Sequence, residues 1–108
     1  MEKLFVYVSL GPGKPNEHIL QKIGGFWKKG SVRGKLFHEG WGAEIGFPGI
    51  RLEDKTEVIK GDVFYSERLE EYWDELDEFE GKAYQRLKTT ITLEGENEEV
   101  GAYIYALK

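Results

Sequence analysis

Glu80 is the residue of this sequence best equipped to move a proton. With about 100° of rotation per residue, a helix over residues 67–80 gathers Leu69, Tyr72, Trp73, Leu76 and Phe79 into one apolar stripe. Glu67, Glu70, Glu71, Asp74, Glu75 and Glu78 fall on the far side, Asp77 lies at the edge, and Glu80 returns into the stripe. Partial burial disfavours an ionised carboxylate, and so does the negative end of a helix dipole. A carboxyl group held there can serve as a general base and then a general acid near neutrality. The plainer alternative is a helix already ended, with Glu80 solvated before a capping glycine.

Other constellations carry weaker chemistry. The turn Ser9-Leu10-Gly11-Pro12-Gly13 can offer main-chain N–H groups to an anion, but it lacks the third glycine of a dinucleotide fingerprint and the Gly-Lys-Ser/Thr of a phosphate loop. Ser9 half matches a nucleophile elbow; the preceding glycine is missing, and neither His18 nor His38 stands in a recognisable base position. Asp77 and Glu80 form an i, i+3 carboxylate pair, yet neighbours on one helix do not flank a scissile bond, and a charged helix surface explains Asp77. The cluster Phe26-Trp27-Lys28-Lys29 with Arg33 and Lys35 has the composition of a single-strand nucleic-acid platform and also that of a solvated face.

Composition narrows these choices. Twenty acidic against fifteen basic side chains leave a net charge of −5, which repels phosphate backbones and anionic membranes. With no cysteine and two distant histidines there is neither a disulfide framework nor a local metal-ligand set, so no metal is expected. The apolar run 4–8 is too short for a signal peptide, and no stretch approaches a membrane span, so a cytoplasmic protein without membrane or nucleic-acid partners is expected. A chain of 108 residues, 40% hydrophobic and 14% aromatic, can build one domain with a real core.

The elements that must position Glu80 are readable in outline. Residues 3–9 put apolar groups on both faces, as a doubly covered strand does. Asn16 caps a short helix to about residue 23, ended by Gly24-Gly25. Strands follow at 31–38, at 57–65 with Ile59, Val63 and Tyr65 on one face, and at 87–93, which turns at 94–97 into a partner strand at 100–107. Residues 39–49, glycines interspersed with Trp41 and Phe47, read as an ordered loop. The helix over 67–80 takes Ser66 as N-cap and Gly81 as its stop.

Two segments, in this order, resemble a known family. Phe5-Val6-Tyr7-Val8-Ser9-Leu10 resembles the Tyr-Gly-Ser/Thr-Leu segment that opens gamma-glutamylcyclotransferase-like proteins. Leu76-Asp77-Glu78-Phe79-Glu80-Gly81, followed by Tyr84 and Arg86, resembles their Leu-Asp-x-x-Glu-Gly stretch. Between them Val32-Arg33-Gly34-Lys35-Leu36-Phe37, Phe47-Pro48-Gly49 and Val58-Ile59-Lys60-Gly61-Asp62-Val63-Phe64 resemble the intervening signatures. The resemblance implies an α+β fold, a small mixed barrel-like β-sheet of about six strands with two flanking helices, as a single domain over residues 1–108. It implies Glu80 as the catalytic residue of a reaction that closes 5-oxoproline from a gamma-glutamyl amine or amino acid and releases the amine. Tyr7, Val8, Ser9 and Leu10 would hold the gamma-glutamyl part and Tyr84 would line the pocket, with a small gamma-glutamyl compound as partner and no cofactor. The sequence departs from the family at Val8, where glycine is usual, and at Gly11, where related short proteins often carry arginine. An isopropyl group at Val8 narrows a main-chain approach, so the alternative expectation is a non-catalytic binding or interaction module on the same fold.

Overall fold

The computed structural model describes residues 1–7, 18–37 and 49–108. Its elements in chain order are β1 (Glu2–Val6), α1 (His18–Gln21), β2 (Phe26–Phe37), β3 (Gly49–Arg51), β4 (Glu57–Ser66), a 3-10 turn (Leu69–Glu71), α2 (Trp73–Glu80), β5 (Tyr84–Leu93) and β6 (Glu99–Leu107). The sheet runs β3-β2-β4-β1-β6-β5, and β2 also pairs with β5 through Gly30↔Leu93 and Ser31↔Thr92. Five strands thereby close into a barrel and β3 adds to its rim along Lys35–Phe37. Only β1 and β6 run parallel among the described pairs. The expected α+β barrel with two helices is therefore the observed fold. None of the described helices is long and apolar enough to cross a membrane.

Strand alternation divides the core in two. Phe5, Val63, Tyr65, Ile91, Leu93 and Ile104 meet inside the barrel. Leu4, Val6, Phe64, Tyr105 and Leu107 point outward from the same strands and are covered by Leu20, Ile23, Leu69 and Leu76 from the helical segments. β1 is thus apolar on both faces because it has protein on both. Tyr72, Trp73 and Phe79 pack against this outer cluster, so the stripe read on the helical wheel is the face that α2 buries.

Four local expectations are corrected. β2 begins at Phe26 rather than 31, because Phe26 stacks on Tyr65 (centroids 4.7 Å apart) and Trp27 packs on Phe64 (4.8 Å), its neighbours across the β2–β4 ladder. Cross-strand aromatic pairs of this kind outweigh the local propensity of a Lys-Lys-Gly stretch. Gly49, read as loop, opens the short strand β3, which three residues cannot announce by periodicity. β5 starts at Tyr84, and the single helix of 67–80 is split at Tyr72, whose φ of −119° and ψ of 1° interrupt it. Like charges at i, i+4 (Glu67/Glu71, Glu70/Asp74, Glu71/Glu75) weaken an α-helical first turn. Ser66 instead donates to the Gly24 carbonyl (2.6 Å) and accepts from the Arg68 N–H (3.1 Å), and the chain turns tightly there.

Gly30 on β2 faces Gly61 on β4. A methyl group at Gly61 would collide with the Val6 carbonyl and come within 2.7 Å of the Phe5 ring. At Gly101 it would meet only the flexible Lys88 side chain, at 3.3 Å. Gly61→Ala is expected to cost about 1–3 kcal/mol, whereas Gly101→Ala stays within about 0.5 kcal/mol of the parent. Urea unfolding of both variants checks this.

Candidate functional site

Glu80 ends α2, and Gly81 terminates it with a φ of 86° while its N–H donates to the Asp77 carbonyl at 3.1 Å. The helix persists to Glu80, so its wheel position holds: the carboxyl group is partly buried beside the apolar face. Among the described residues it has no hydrogen-bond or ion-pair partner. Burial alone pushes its pKa from 4.5 up to about 7. At that value the group is present in both protonation states at neutral pH.

Two of the other expected site residues share this neighbourhood. Tyr7, the continuation of β1, donates its phenol hydrogen to the Tyr105 carbonyl (2.8 Å) and accepts from the Ile50 N–H (3.0 Å), tying β1 to β6 and β3. Burial pushes the phenol pKa well above its usual range; the backbone bond from Ile50 opposes this, and the charges of Glu80 and Tyr84 add to it. Tyr7 is thus locked as a neutral donor within electrostatic reach of Glu80. Tyr84 is buried at the head of β5, and its N–H donates to the Gly81 carbonyl at 3.3 Å. Val8, Ser9 and Leu10 lie outside the described residues, as do Gly11 and His38. His18 is exposed on α1, and the Phe26–Lys29 cluster belongs to β2, where Lys29 bonds Asp62 at 3.2 Å.

The sequence reading missed the feature that holds α2 in place. Asp77, read as plain helix surface, accepts two hydrogen bonds from Arg86 Nη1 (3.0 and 3.1 Å) and one from the Tyr105 hydroxyl (2.6 Å). Arg86 and Tyr105 are register partners on β5 and β6, so both side chains emerge on the same face of the sheet. The guanidinium also lies over the Trp73 ring (4.5 Å) and the Tyr103 ring (5.7 Å), which themselves meet edge to face at 5.1 Å. A usable signal was Asp77 at the edge of the apolar stripe, one turn before Glu80. The two carboxylates therefore occupy opposite settings, Asp77 charge-paired and Glu80 without a partner among the described residues.

Asp77→Ala leaves Arg86 and the Tyr105 hydroxyl without this acceptor and is expected to cost about 1–3 kcal/mol. Tyr105→Phe removes one neutral donor and costs about 1 kcal/mol. A double-mutant cycle of the two by urea unfolding should show positive coupling. The raised Glu80 pKa has its own consequence. Between pH 4.5 and about 7 the folded state binds more protons at Glu80 than the unfolded chain does, so stability falls as pH rises through that window. Glu80→Gln removes this slope and is expected to gain roughly 3 kcal/mol at pH 8 relative to its effect at pH 4.

Comparison with known proteins agrees with this architecture. The family model for gamma-glutamyl cyclotransferase, AIG2-like proteins matches residues 4–108. Solved structures of like fold include YkqA from Bacillus subtilis, at 21% identity and a TM-score of 0.73, covering 99% of this chain. An aig2-like protein from Mus musculus matches at 21% identity and a TM-score of 0.74, covering 98% of this chain and 76% of its own. A protein from Arabidopsis thaliana matches at 19% identity and a TM-score of 0.74, covering 98% of this chain and 68% of its own. The chain spans 36% of YkqA's length. No curated protein matches it significantly. At these identities the solved structures establish the fold, and the family model, matching almost the entire sequence, shows that the chain belongs to the gamma-glutamyl cyclotransferase, AIG2-like family.

Proposed function

We propose that the protein cyclises a gamma-glutamyl amine or amino acid, releasing 5-oxoproline and the free amine, with Glu80 as the proton carrier. The observation that carries this reading is the Glu80 carboxyl group, partly buried, without a partner among the described residues, and poised at about 7. Its carboxylate takes a proton from the substrate's α-ammonium. The freed amine attacks the side-chain carbonyl carbon of the same glutamyl group, a new C–N bond closes the five-membered lactam, and the bond to the leaving nitrogen breaks. Glu80 returns the proton to that nitrogen as it leaves, and the second proton, shed when the attacking nitrogen becomes the lactam N–H, passes by the same carboxylate to the released amine, which departs as the ammonium, so Glu80 ends as it began. Nucleophile and electrophile belong to one molecule, so the protein's task is to fold the substrate and carry its protons from the attacking to the leaving nitrogen, and no cofactor enters the chemistry. Tyr7, Val8, Ser9 and Leu10 hold the glutamyl part and Tyr84 lines the pocket in this proposal.

A second reading rests on one residue. Val8 stands where the family usually has glycine, and a side chain there favours a binding or interaction module without turnover.

Incubation with a panel of gamma-glutamyl amines and amino acids, read by 5-oxoproline release, separates the two. The enzyme reading expects release that Glu80→Gln lowers by at least about 100-fold. It also expects kcat/KM to rise with pH, to reach half its plateau near 7 and to level off above that, because only the ionised Glu80 accepts the first proton. Equal silence of both folded proteins on every substrate, relieved by Val8→Gly, would establish the module instead.

A further inference from the structure

The barrel is closed by a short seam that leaves backbone groups unpaired. The Glu94 N–H donates to the Lys29 carbonyl at 2.9 Å, and Ser31 pairs with Thr92. These pairs set the register, in which Arg33 would next face Thr90. The ladder stops before that pair. Alternate residues of a strand turn their N–H and C=O to the same side. On β2, Lys29 and Ser31 face β5, so Arg33 does too. On β5, Leu93 bonds the β6 side through the Glu98 carbonyl (2.7 Å), so Thr92, Thr90 and Lys88 face the seam. Arg33 and Thr90 therefore present main-chain donors and acceptors to an opening with no strand between them among the described residues.

The opening is a groove of about 580 Å³, with Arg33, Lys55, Val58, Lys88 and Thr90 among its lining residues. Its main-chain groups contrast with a neighbouring position. Where β4 runs out beside β2, the Leu36 N–H is supplied with a side-chain acceptor, Glu57, at 3.1 Å. No such substitute reaches Arg33 or Thr90 among the described residues. In a chain of net charge −5, Arg33, Lys55 and Lys88 make the groove locally cationic, against Glu99 alone. Val58, the second residue of β4, adds an apolar surface to the groove; it is 57% exposed although β-branched.

We infer that this seam is a docking groove for an extended acidic segment of a partner protein, which adds as a strand beside β5 at Lys88–Thr90. Main-chain pairing supplies the attachment, alternate acidic side chains meet Arg33, Lys55 and Lys88, and an apolar side chain rests on Val58. Basic residues on a bare strand edge also discourage self-association. They discourage it least for an acidic strand, so the same residues select the partner. The inference stands independently of the cyclotransferase reading.

The probe is a fluorescein-labelled peptide, acetyl-(Glu-Val)3-amide, titrated against the whole protein by anisotropy, with ¹H–¹⁵N spectra locating the contact. Saturable binding is expected, weakening at least tenfold when the alternate peptide nitrogens that face β5 are methylated, and weakening with added salt. The amide exchange of Thr90 should slow on binding. Thr90→Pro removes a donor that no β5–β6 bond uses and should likewise weaken binding at least tenfold. If that variant does not fold, the methylated peptide against the parent protein decides the matter. Absence of saturation at roughly millimolar peptide, binding indifferent to methylation, or shifts confined to another face would overturn the inference. So would a seam already occupied by a second copy of the chain, shown by a stable dimer whose Thr90 amide is protected before peptide is added.

Discussion

A carboxyl group enclosed by apolar neighbours surrenders hydration that only a proton, a cation or hydrogen-bond donors make good, and each unit of pKa displacement amounts to about 1.4 kcal/mol. At Glu80 the described residues provide no cation. The remaining order of this end of the molecule follows from keeping that group where it is. Asp77, one turn earlier, is fastened by Arg86 and Tyr105, and Leu76 is sunk into the outer core. Gly81 then turns the chain away at a φ that side chains rarely adopt. Without those anchors the last turn of α2 would fray and Glu80 would rotate into water, where its pKa would relax.

The barrel supplies the rigid frame to which the anchors attach. Arg86 and Tyr105 face Asp77 because they are register partners on β5 and β6, and Tyr7 reaches Glu80's surroundings because β1 runs between β4 and β6. The Tyr7 hydroxyl bridges Tyr105 and Ile50, so one phenol joins three strands beside the candidate site. Charge is arranged along the same lines. The acidic face of α2 is turned outward, one carboxylate of the helix is neutralised, and one is left able to titrate.

Much of this was legible from residue order. The wheel position of Glu80, the buried stripe of α2, the Gly81 stop and the two-faced β1 all follow from local periodicity and capping, which act within a few residues. The early start of β2 was not legible, because Phe26 and Trp27 are strand residues only by virtue of Tyr65 and Phe64, almost forty positions away in sequence. β3 escaped for the same reason: its three residues are defined by partners on β2. The Asp77 clamp needed the β5–β6 register, which no single segment encodes. Val8, Ser9 and Leu10, expected to hold substrate, lie outside the described residues, so their expected role rests on the motif alone.

Proton transfer by Glu80 depends on that group titrating near neutrality in the folded protein. ¹³C-detected NMR of the glutamate side-chain carboxyl carbons, with Glu80→Gln assigning the resonance, measures it without any substrate. A midpoint of about 7 is expected. A midpoint at 4.5, the value of an ordinary glutamate, would contradict it.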